Sequence, residues 1–307
     1  KIVLNGVVNV AEGKTLTFDG AIEGDAAVNG VTASAVSFHS SGSTVDGLTL
    51  NVTSSVFGDV TLTDITLDQP INVTESKVLT VDGTSALNAN VNLVEATAPV
   101  IELDASSWDS TDGTLDITVN GSSSTLEGDS DSITDADALA TAIQALTGVS
   151  SATNNGGTIT IVGDRGLAKT LEITQYDPDG DEAGGAVSQV TGQDAGKLVL
   201  DDTVSGTATI NRLGDSTPKG AVDISGVTLS GVTLGTETAI TVSADSSLNN
   251  ITSYVDLDAG AQTVTISGLT VAADLTLNGN TGKIVLNGVV NVAEGKTLTF
   301  DGAIEGD

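Results

Sequence analysis

The chain contains no cysteine and no methionine. The absence of cysteine excludes disulfide bonds, thiolate chemistry, and the zinc or iron–sulfur sites that cysteine builds. Lysine is also scarce, whereas threonine, serine, asparagine, aspartate and glycine are abundant. This bias is typical of bacterial or archaeal surface proteins, so we expect an extracellular or cell-surface location.

Aromatic residues make up only 2% of the 307 residues, and there are four prolines. A globular enzyme of this length normally buries more rings than this. The apolar residues are mostly Val, Leu, Ile and Ala, which suits a thin interior of stacked aliphatic rows. The 36 glycines supply turns between short strands, and scarce proline is consistent with strands that donate ladder hydrogen bonds.

Basic residues are few, because 10 Lys and Arg stand against 41 Asp and Glu, for a formal net charge of −31. Phosphate backbones and anionic lipids are bound through Lys and Arg, so nucleic acid and anionic membrane surfaces are disfavoured as partners. No apolar run approaches the ~20 residues that span a bilayer. We therefore predict no membrane insertion of this segment.

Residues 1–25 and residues 283–307 have the same sequence, KIVLNGVVNVAEGKTLTFDGAIEGD, at an offset of 282 positions. Two unrelated segments of this length do not coincide by chance. The identity predicts a tandem array of 282-residue repeats, in which residues 283–307 begin the next copy. An overlap chosen within a periodic fibre would give the same pattern, and it would also require the array.

A shorter repeat lies inside the long one. Residues 8–20 (VNVAEGKTLTFDG) and residues 71–83 (INVTESKVLTVDG) agree at eight of thirteen positions, at an offset of 63. If this offset covers three turns of a winding chain, each turn uses 21 residues. Turns of about 20 residues are typical of architectures in which each unit packs only against its neighbours.

Short alternating segments such as KTLTFDG and DVTLTDITL fill residues 1–106 and return in residues 191–282. Period-two alternation predicts strands that turn one face inward. Together with the repeats, it predicts an all-β fold, a parallel β-helix or β-solenoid, with a β-sandwich array as the structural alternative. Residues 191–282 lead into residues 283–307 without a linker, so we expect copies to join in tandem, with lateral contacts between rods also open.

Residues 107–190 follow a different pattern, with a predicted helix over residues 132–148 between segments of strand character. Thr134 with Asp137 resembles a helix cap. The helix would have one apolar face, formed by Leu139, Ala142, Ile143 and Leu146. We therefore predict a small α/β module inserted into the solenoid.

The segment YDPDGDE places Asp177, Asp179, Asp181 and Glu182 around a glycine turn. Carboxylate oxygens on a sharp turn suit Ca²⁺. The pattern resembles the first half of an EF-hand loop, but it lacks the distant bidentate Glu. These four residues are the candidate metal site, calcium is the one candidate cofactor, and a solvated acidic turn is the alternative.

The single histidine, His39, has no G-x-S-x-G motif to accompany it, so no Ser–His–Asp triad is predicted. Pairs of carboxylates for glycoside hydrolysis arise by chance among 41 acidic residues. A β-helical enzyme that cleaves acidic polysaccharides would need more basic residues than this chain has. We expect no enzymatic activity, and keep a polysaccharide-degrading enzyme as an alternative.

The motif NVAEGKTLTFDG at residues 9–20 resembles the coil signature of filamentous-haemagglutinin-type fibres and giant adhesins. That resemblance implies a secreted, right-handed parallel β-helix that serves adhesion or surface display. It favours a structural repeat unit of a cell-surface fibre. The alternatives are an adhesin that binds carbohydrate or a host receptor, and a phage tail fibre or tailspike.

Overall fold

The computed structural model describes residues 1–129, 131–166, 169–179, 188–213, 220–236 and 238–306. Strands account for 58% of the chain and helix for 3%. The chain divides into two compact units. The first unit contains Lys1–Glu95 with Ala195–Asp307, and the second unit is Ala96–Asp194.

The first unit begins with a run of short strands, as the alternation of apolar and polar residues predicts. These strands are β1 Ile2–Leu4, β2 Val7–Val10, β3 Thr15–Phe18, β4 Ile22–Gly24, β5 Ala27–Gly30, β6 Ala35–Phe38, β7 Ser43–Asp46, β8 Thr49–Asn51, β9 Ser54–Val56, β10 Val60–Thr63, β11 Thr66–Leu67, β12 Ile71–Val73, β13 Val78–Asp82, β14 Thr84–Leu87 and β15 Val91–Val94.

The second unit contains seven strands and one helix, in an order unlike that of the first unit. These elements are β16 Val100–Asp104, β17 Thr114–Val119, β18 Ser122–Glu127, α1 Ala136–Gln144, β19 Val149–Asn155, β20 Thr158–Gly163, β21 Thr170–Asp177 and β22 Ser188–Thr191.

The first unit resumes at Ala195 and includes several longer strands. These strands are β23 Lys197–Gly206, β24 Thr209–Leu213, β25 Gly220–Ser230, β26 Thr233–Leu234, β27 Thr238–Val242, β28 Ser246–Ser253, β29 Leu257–Asp258, β30 Thr263–Val271, β31 Leu275–Asn278, β32 Lys283–Leu286, β33 Val290–Val292, β34 Leu298–Asp301 and β35 Ile304–Gly306.

The strands of the first unit form a parallel β-solenoid, so the predicted fold class is confirmed. Each coil contributes strands to three parallel columns. The first column is β1, β4, β7, β10, β13, the start of β23, the start of β25, and β27. The second column is β2, β5, β8, β11, β14, the end of β23, the end of β25, the start of β28, the start of β30, β32 and β35.

The third column is β3, β6, β9, β12, β15, β24, β26, the end of β28, the end of β30, and β33. In the last coils, β29, β31 and β34 pair in parallel with one another, and β29 contacts β27. They therefore take the place of the first column there.

The solenoid interior consists of rows of aliphatic side chains, one row beneath each column. In the first column the inward row is Ile22, Val45, Leu62, Val81, Leu200 and Ile224, all of them at most 2% exposed. Full burial of one such side chain contributes about 1.5–3 kcal/mol. The stacking of like residues explains how the chain builds a continuous core with so few rings.

Corners between strands depend on glycine and aspartate. Gly206 has φ +131°, and a Cβ there would collide with the carbonyl oxygen of Leu87 in the preceding coil, so only glycine fits. Asp64 accepts a hydrogen bond at 2.6 Å from the backbone N–H of Thr84, one coil further along the chain. Such bonds give the first N–H of a strand a partner and tie successive coils together.

The offset of 63 residues covers more than three turns, so the predicted coil of 21 residues is wrong. Residues 8–10 lie in the second column, in β2, whereas residues 71–73 lie in the third column, in β12. The offset therefore covers three turns and one third. Hydrogen bonds between neighbouring coils correspondingly join residues about 18 to 22 positions apart.

The second unit contains two antiparallel sheets, with strand orders β16-β20-β19 and β18-β17-β21-β22. It begins at Ala96 and ends at Asp194, wider than the predicted residues 107–190. The difference arises because β16 pairs antiparallel with β20, and an antiparallel bridge joins Thr97 to Gln193. The predicted solenoid segment of residues 1–106 accordingly ends at Glu95, and the segment predicted to resume at residue 191 resumes at Ala195.

Helix α1 is shorter than the predicted residues 132–148. Its N-cap is Asp135, whose Oδ1 accepts the backbone N–H of Ala138 at 2.9 Å, so the predicted cap at Thr134 is one residue early. A carboxylate at this position satisfies an unpaired N–H group and interacts favourably with the helix dipole. Leu139 and Ile143 of the predicted apolar face are fully buried.

Candidate stacking surface at the repeated segment

The repeated segment occurs twice in the solenoid, as residues 1–25 and residues 283–307, which we call the first and second copies. The first copy has a coil only after it within the chain, and the second copy has a coil only before it. The same side chains are therefore seen in two environments, which shows what each neighbouring coil contributes.

The second copy continues the parallel ladder of the coil that precedes it. Val264 pairs with Ile284 and Ile266 with Leu286. The N–H of Lys283 donates to the carbonyl oxygen of Gln262 at 2.9 Å. The join between the end of one repeat and the start of the next is thus an ordinary pair of solenoid strands.

Aspartate side chains support this join as they support the coils elsewhere. Asp274 Oδ1 accepts the backbone N–H of Thr297 at 2.7 Å, and Asp256 Oδ1 accepts that of Thr276 at 2.6 Å. Asp274 belongs to the first repeat and Thr297 to the second copy. A hydrogen bond to a charged acceptor contributes about 1.5–3 kcal/mol when shielded, so the bond reinforces the register at the join.

Burial of the repeated segment depends on which neighbouring coil is present. Ile2 is 52% exposed, whereas its counterpart Ile284, which has a coil before it, is fully buried. Conversely, Phe18 is 5% exposed beneath the following coil, whereas its counterpart Phe300 is 53% exposed. The side chains of one segment thus form two apolar surfaces, one against each adjoining coil.

An ion pair recurs in both copies. Lys1 Nζ lies 2.5 Å from Glu23 Oε2, and Lys283 Nζ lies 3.0 Å from Glu305 Oε2. In each copy the pair links one coil to the next. All four side chains are substantially exposed, so each pair contributes at most about 1 kcal/mol, and it marks the register more than it stabilises the fold.

Asparagine ladders on the outer faces were not predicted from the sequence. Asn29 Nδ2 donates to Asn9 Oδ1 at 3.4 Å, and Asn51 Nδ2 donates to Asn29 Oδ1 at 2.7 Å. A second ladder joins Asn92 Nδ2 to Asn72 Oδ1 at 2.9 Å. Their signal in the sequence is an asparagine next to inward-facing valine or leucine in successive strands, and the second copy carries the same feature at position 291.

The residues of the candidate calcium site are only partly within the described ranges. Asp177 is half-buried at the end of β21, and Asp179 is exposed two residues later. Asp181 and Glu182 lie outside the described residues. Within the described ranges, no group of three or more His, Asp or Glu side chains has an arrangement that could hold a metal ion, and the calcium site stays a prediction.

His39 is exposed in the solenoid, and its ring lies 4.9 Å from the ring of Phe57, at an interplanar angle of 30°. Its backbone N–H donates to the carbonyl oxygen of Phe18 in the preceding coil at 3.1 Å. Sequence reasoning also missed a buried cation, Arg212, which is 6% exposed and pairs with Leu93 in the third column.

The second unit has an aromatic pair in its core. Trp108 and Tyr176 stack with ring centroids 6.4 Å apart, and Trp108 Nε1 donates to the carbonyl oxygen of Ile133 at 3.0 Å. Burial, with a smaller effect from the charge of Asp104, raises the pKa of Tyr176 to about 12. The hydroxyl of Tyr176 has no hydrogen-bond partner among the described residues.

Two exposed aspartates near this pair stabilise local turns. The Ser106 hydroxyl and backbone N–H donate to Asp104 Oδ1 and lower the pKa of that carboxyl. The hydroxyl and N–H of Thr111 lower the pKa of Asp109 in the same way. Both arrangements satisfy backbone donors at turns.

No family model, curated protein or solved structure matches this chain. In the parts of the chain that the structure describes, no helix has the length and apolar character needed to cross a bilayer.

Proposed function

We propose that this chain is the structural repeat unit of an extracellular or cell-surface fibre, in which tandem copies stack as one solenoid. The observation that supports the proposal most directly is the parallel pairing of β30 with β32 and of β31 with β34. These pairs already join the coil that ends one repeat to the segment that begins the next. The join needs no linker and no new kind of contact.

The physical basis of such a function is the closure of strand edges by neighbouring coils. An unpaired solenoid end exposes backbone donors, acceptors and apolar side chains, as Ile2 and Phe300 are exposed here. Each added copy covers one such end. The growing fibre is thereby stabilised by contacts between nearest neighbours, as in other repeat proteins.

The location and the surface chemistry of the fibre are part of the proposal. A net charge of −31 opposes precipitation through mutual repulsion and attracts divalent cations such as calcium. The composition, free of cysteine and methionine, supports a surface location. The partners proposed are further copies of the chain, in tandem and laterally.

Chains with one, two and four consecutive copies of residues 1–282 test this function when imaged by electron microscopy. We expect unbroken rods whose length increases linearly with copy number, at about 4.8 Å per coil. Separate beads joined by linkers would contradict the proposal and favour a β-sandwich array. A native polypeptide with a single copy would also contradict it.

A second candidate function is an adhesin that binds surface carbohydrate or a receptor, and it is favoured by the separate core of the second unit. The full chain applied to a glycan array tests it. A matched control is a chain from which residues 96–194 are deleted, because the N–H of Gly196 donates to the carbonyl oxygen of Val94 at 2.9 Å. Binding lost in the control would support an adhesin.

A phage tail fibre or tailspike would be a trimer, which light scattering on one repeat distinguishes from a monomer. We also propose that the chain has no enzymatic activity. Release of reducing sugars from acidic polysaccharides would contradict this and support a polysaccharide-degrading enzyme.

A further inference from the structure

The two copies of the repeated segment lie in different columns of the solenoid. In the first copy, β1 belongs to the first column, where Ile2 pairs with Ile22. In the second copy, the same sequence forms β32 in the second column, where it pairs with the start of β30. Identical residues therefore occupy neighbouring faces.

The rest of the segment is displaced in the same direction. The first copy has β2 in the second column and β4 in the first. Their counterparts β33 and β35 lie in the third and second columns. The pairing of Ile2 with Ile22 recurs as that of Ile284 with Ile304, so the coil itself is unchanged and only its column differs.

The shorter repeat provides an independent example within one copy. Residues 8–20 occupy the second and third columns, in β2 and β3, whereas residues 71–83 occupy the third and first columns, in β12 and β13. A displacement of one column thus occurs at two different offsets. The motif fits more than one column, because its alternation of inward and outward residues is the same on each.

One repeat therefore covers a whole number of turns plus one third of a turn. We propose that successive copies in the array are each displaced by one column, so that every fourth copy returns to the column of the first. This inference rests on the proposed tandem fibre. It goes beyond that proposal because a fibre whose repeat covered only whole turns would keep every copy on the same column.

The displacement determines where the second unit is attached. The chain leaves the solenoid after β15 in the third column and returns at β23 in the first column. In the next copy the corresponding corner lies one column further on. The attachment points then form three rows along the fibre, so neighbouring copies of this chain can be contacted from three sides and not from one.

The column of the second copy is tested in the chain itself, which is free of cysteine. Thr265 and Val285 are direct partners on the outer face of the second column. Neighbouring parallel strands lie about 4.8 Å apart, within the Cα separation that a disulfide bridges. We expect the variant Thr265→Cys with Val285→Cys to form an intramolecular disulfide under mild oxidation.

The control pairs Val285→Cys with Thr276→Cys, which lies on the outer face of β31 and pairs with Thr299. We expect no disulfide in this variant, whose two cysteines are on different columns. A disulfide in the control and none in the test variant would overturn the inference. The pair Val3→Cys with Glu23→Cys, partners in the first copy, shows the yield to expect of a true neighbour.

Cryo-electron microscopy of the four-copy chain tests the arrangement over the whole fibre. We expect attached units in three rows, with the fourth copy in the row of the first. Continuous rods with a single row would overturn the column displacement and leave the fibre proposal standing. Separate beads would overturn the proposed function, so the two failures are distinguishable.

Discussion

The rings of Phe18 and Phe38 stack between successive coils of the third column, with centroids 5.6 Å apart. Phe38 is fully buried. The counterpart of Phe18 in the second copy, Phe300, has no coil after it within the chain. One residue type in one local sequence thus has a neighbour at one end of the solenoid and none at the other.

Phe18→Ala and Phe300→Ala form a matched pair of variants. We expect Phe18→Ala to destabilise the first coils by about 3–5 kcal/mol, since it leaves a cavity under Phe38. We expect Phe300→Ala to change stability by about 0.5 kcal/mol, as for an exposed residue. Hydrogen exchange of the adjoining strands measures each effect locally, because a solenoid need not unfold in one step.

The same pair distinguishes a fibre from a single unit. In a two-copy chain, in which a coil follows residue 306, the cost of Phe300→Ala should rise towards that of Phe18→Ala. An unchanged cost would show that the next copy does not stack on this surface.

Asp274→Ala should weaken the join between repeats. The variant removes the acceptor of the Thr297 N–H, and we expect a cost of about 1–2 kcal/mol for this exposed bond. Hydrogen exchange at the amide of Thr297 should accelerate. Asp274→Asn keeps an oxygen acceptor at the same position, so it should restore most of the protection, and equal exchange in both variants would contradict the role of the bond.

Gly206→Ala and Gly42→Ala separate two costs of a side chain at a corner. Both glycines have positive φ, at +131° and +78°. A Cβ at Gly42 meets no atom within 4 Å, whereas one at Gly206 collides with the carbonyl oxygen of Leu87. We expect a loss of about 1–2 kcal/mol for Gly42→Ala from backbone strain alone, and a larger loss for Gly206→Ala, measured by thermal denaturation.

Tyr176 should give the second unit a dependence on alkaline pH. Its pKa is raised from 10.0 to about 12 in the folded chain, so the folded state holds the proton more tightly than the unfolded state. The resulting stability is fully present below pH 10 and is lost as the pH rises towards about 12. Absorbance titration should show this transition in the wild-type chain and not in Tyr176→Phe, and a transition that survives the substitution would contradict the assignment.

The calcium prediction is tested by calorimetric titration of the full chain with CaCl₂. If the loop binds calcium, we expect saturable binding that Asp179→Asn weakens by at least tenfold, because a carboxylate ligand is lost. Asp59→Asn, in which a solenoid corner is altered, serves as the control for charge alone. No saturable heat, or equal binding by both variants, would leave the segment as a solvated acidic turn.

Much of the solenoid is predictable from the sequence, because alternation along each strand is a local property. Val60–Thr63 reads apolar, polar, apolar, polar, and its burial follows that order. The number of strands per turn is not local. The columns reached by residues 8–20 and 71–83 depend on the geometry of every corner between them, so the local pattern alone cannot distinguish three whole turns from three turns and one third.

The limits of the second unit are hard to predict for a related reason. β16 has the same alternation as a solenoid strand, with burial pattern exposed, buried, exposed, buried, exposed. Only its partner, β20, gives it an antiparallel neighbour, and the two are more than fifty residues apart in sequence. Buried Arg212 likewise has no signal in the local pattern, in which it follows a strand asparagine.

The hydrogen bond from Gly196 to Val94 has a consequence for how such a protein can vary. The solenoid closes across the interruption, because the two ends of the interrupted chain lie within hydrogen-bonding distance. Exchange of the second unit for another with adjacent termini would leave every strand pair of the columns in place. The length of the fibre and the surface that it displays can therefore evolve separately, the first through copy number and the second through replacement at a single corner.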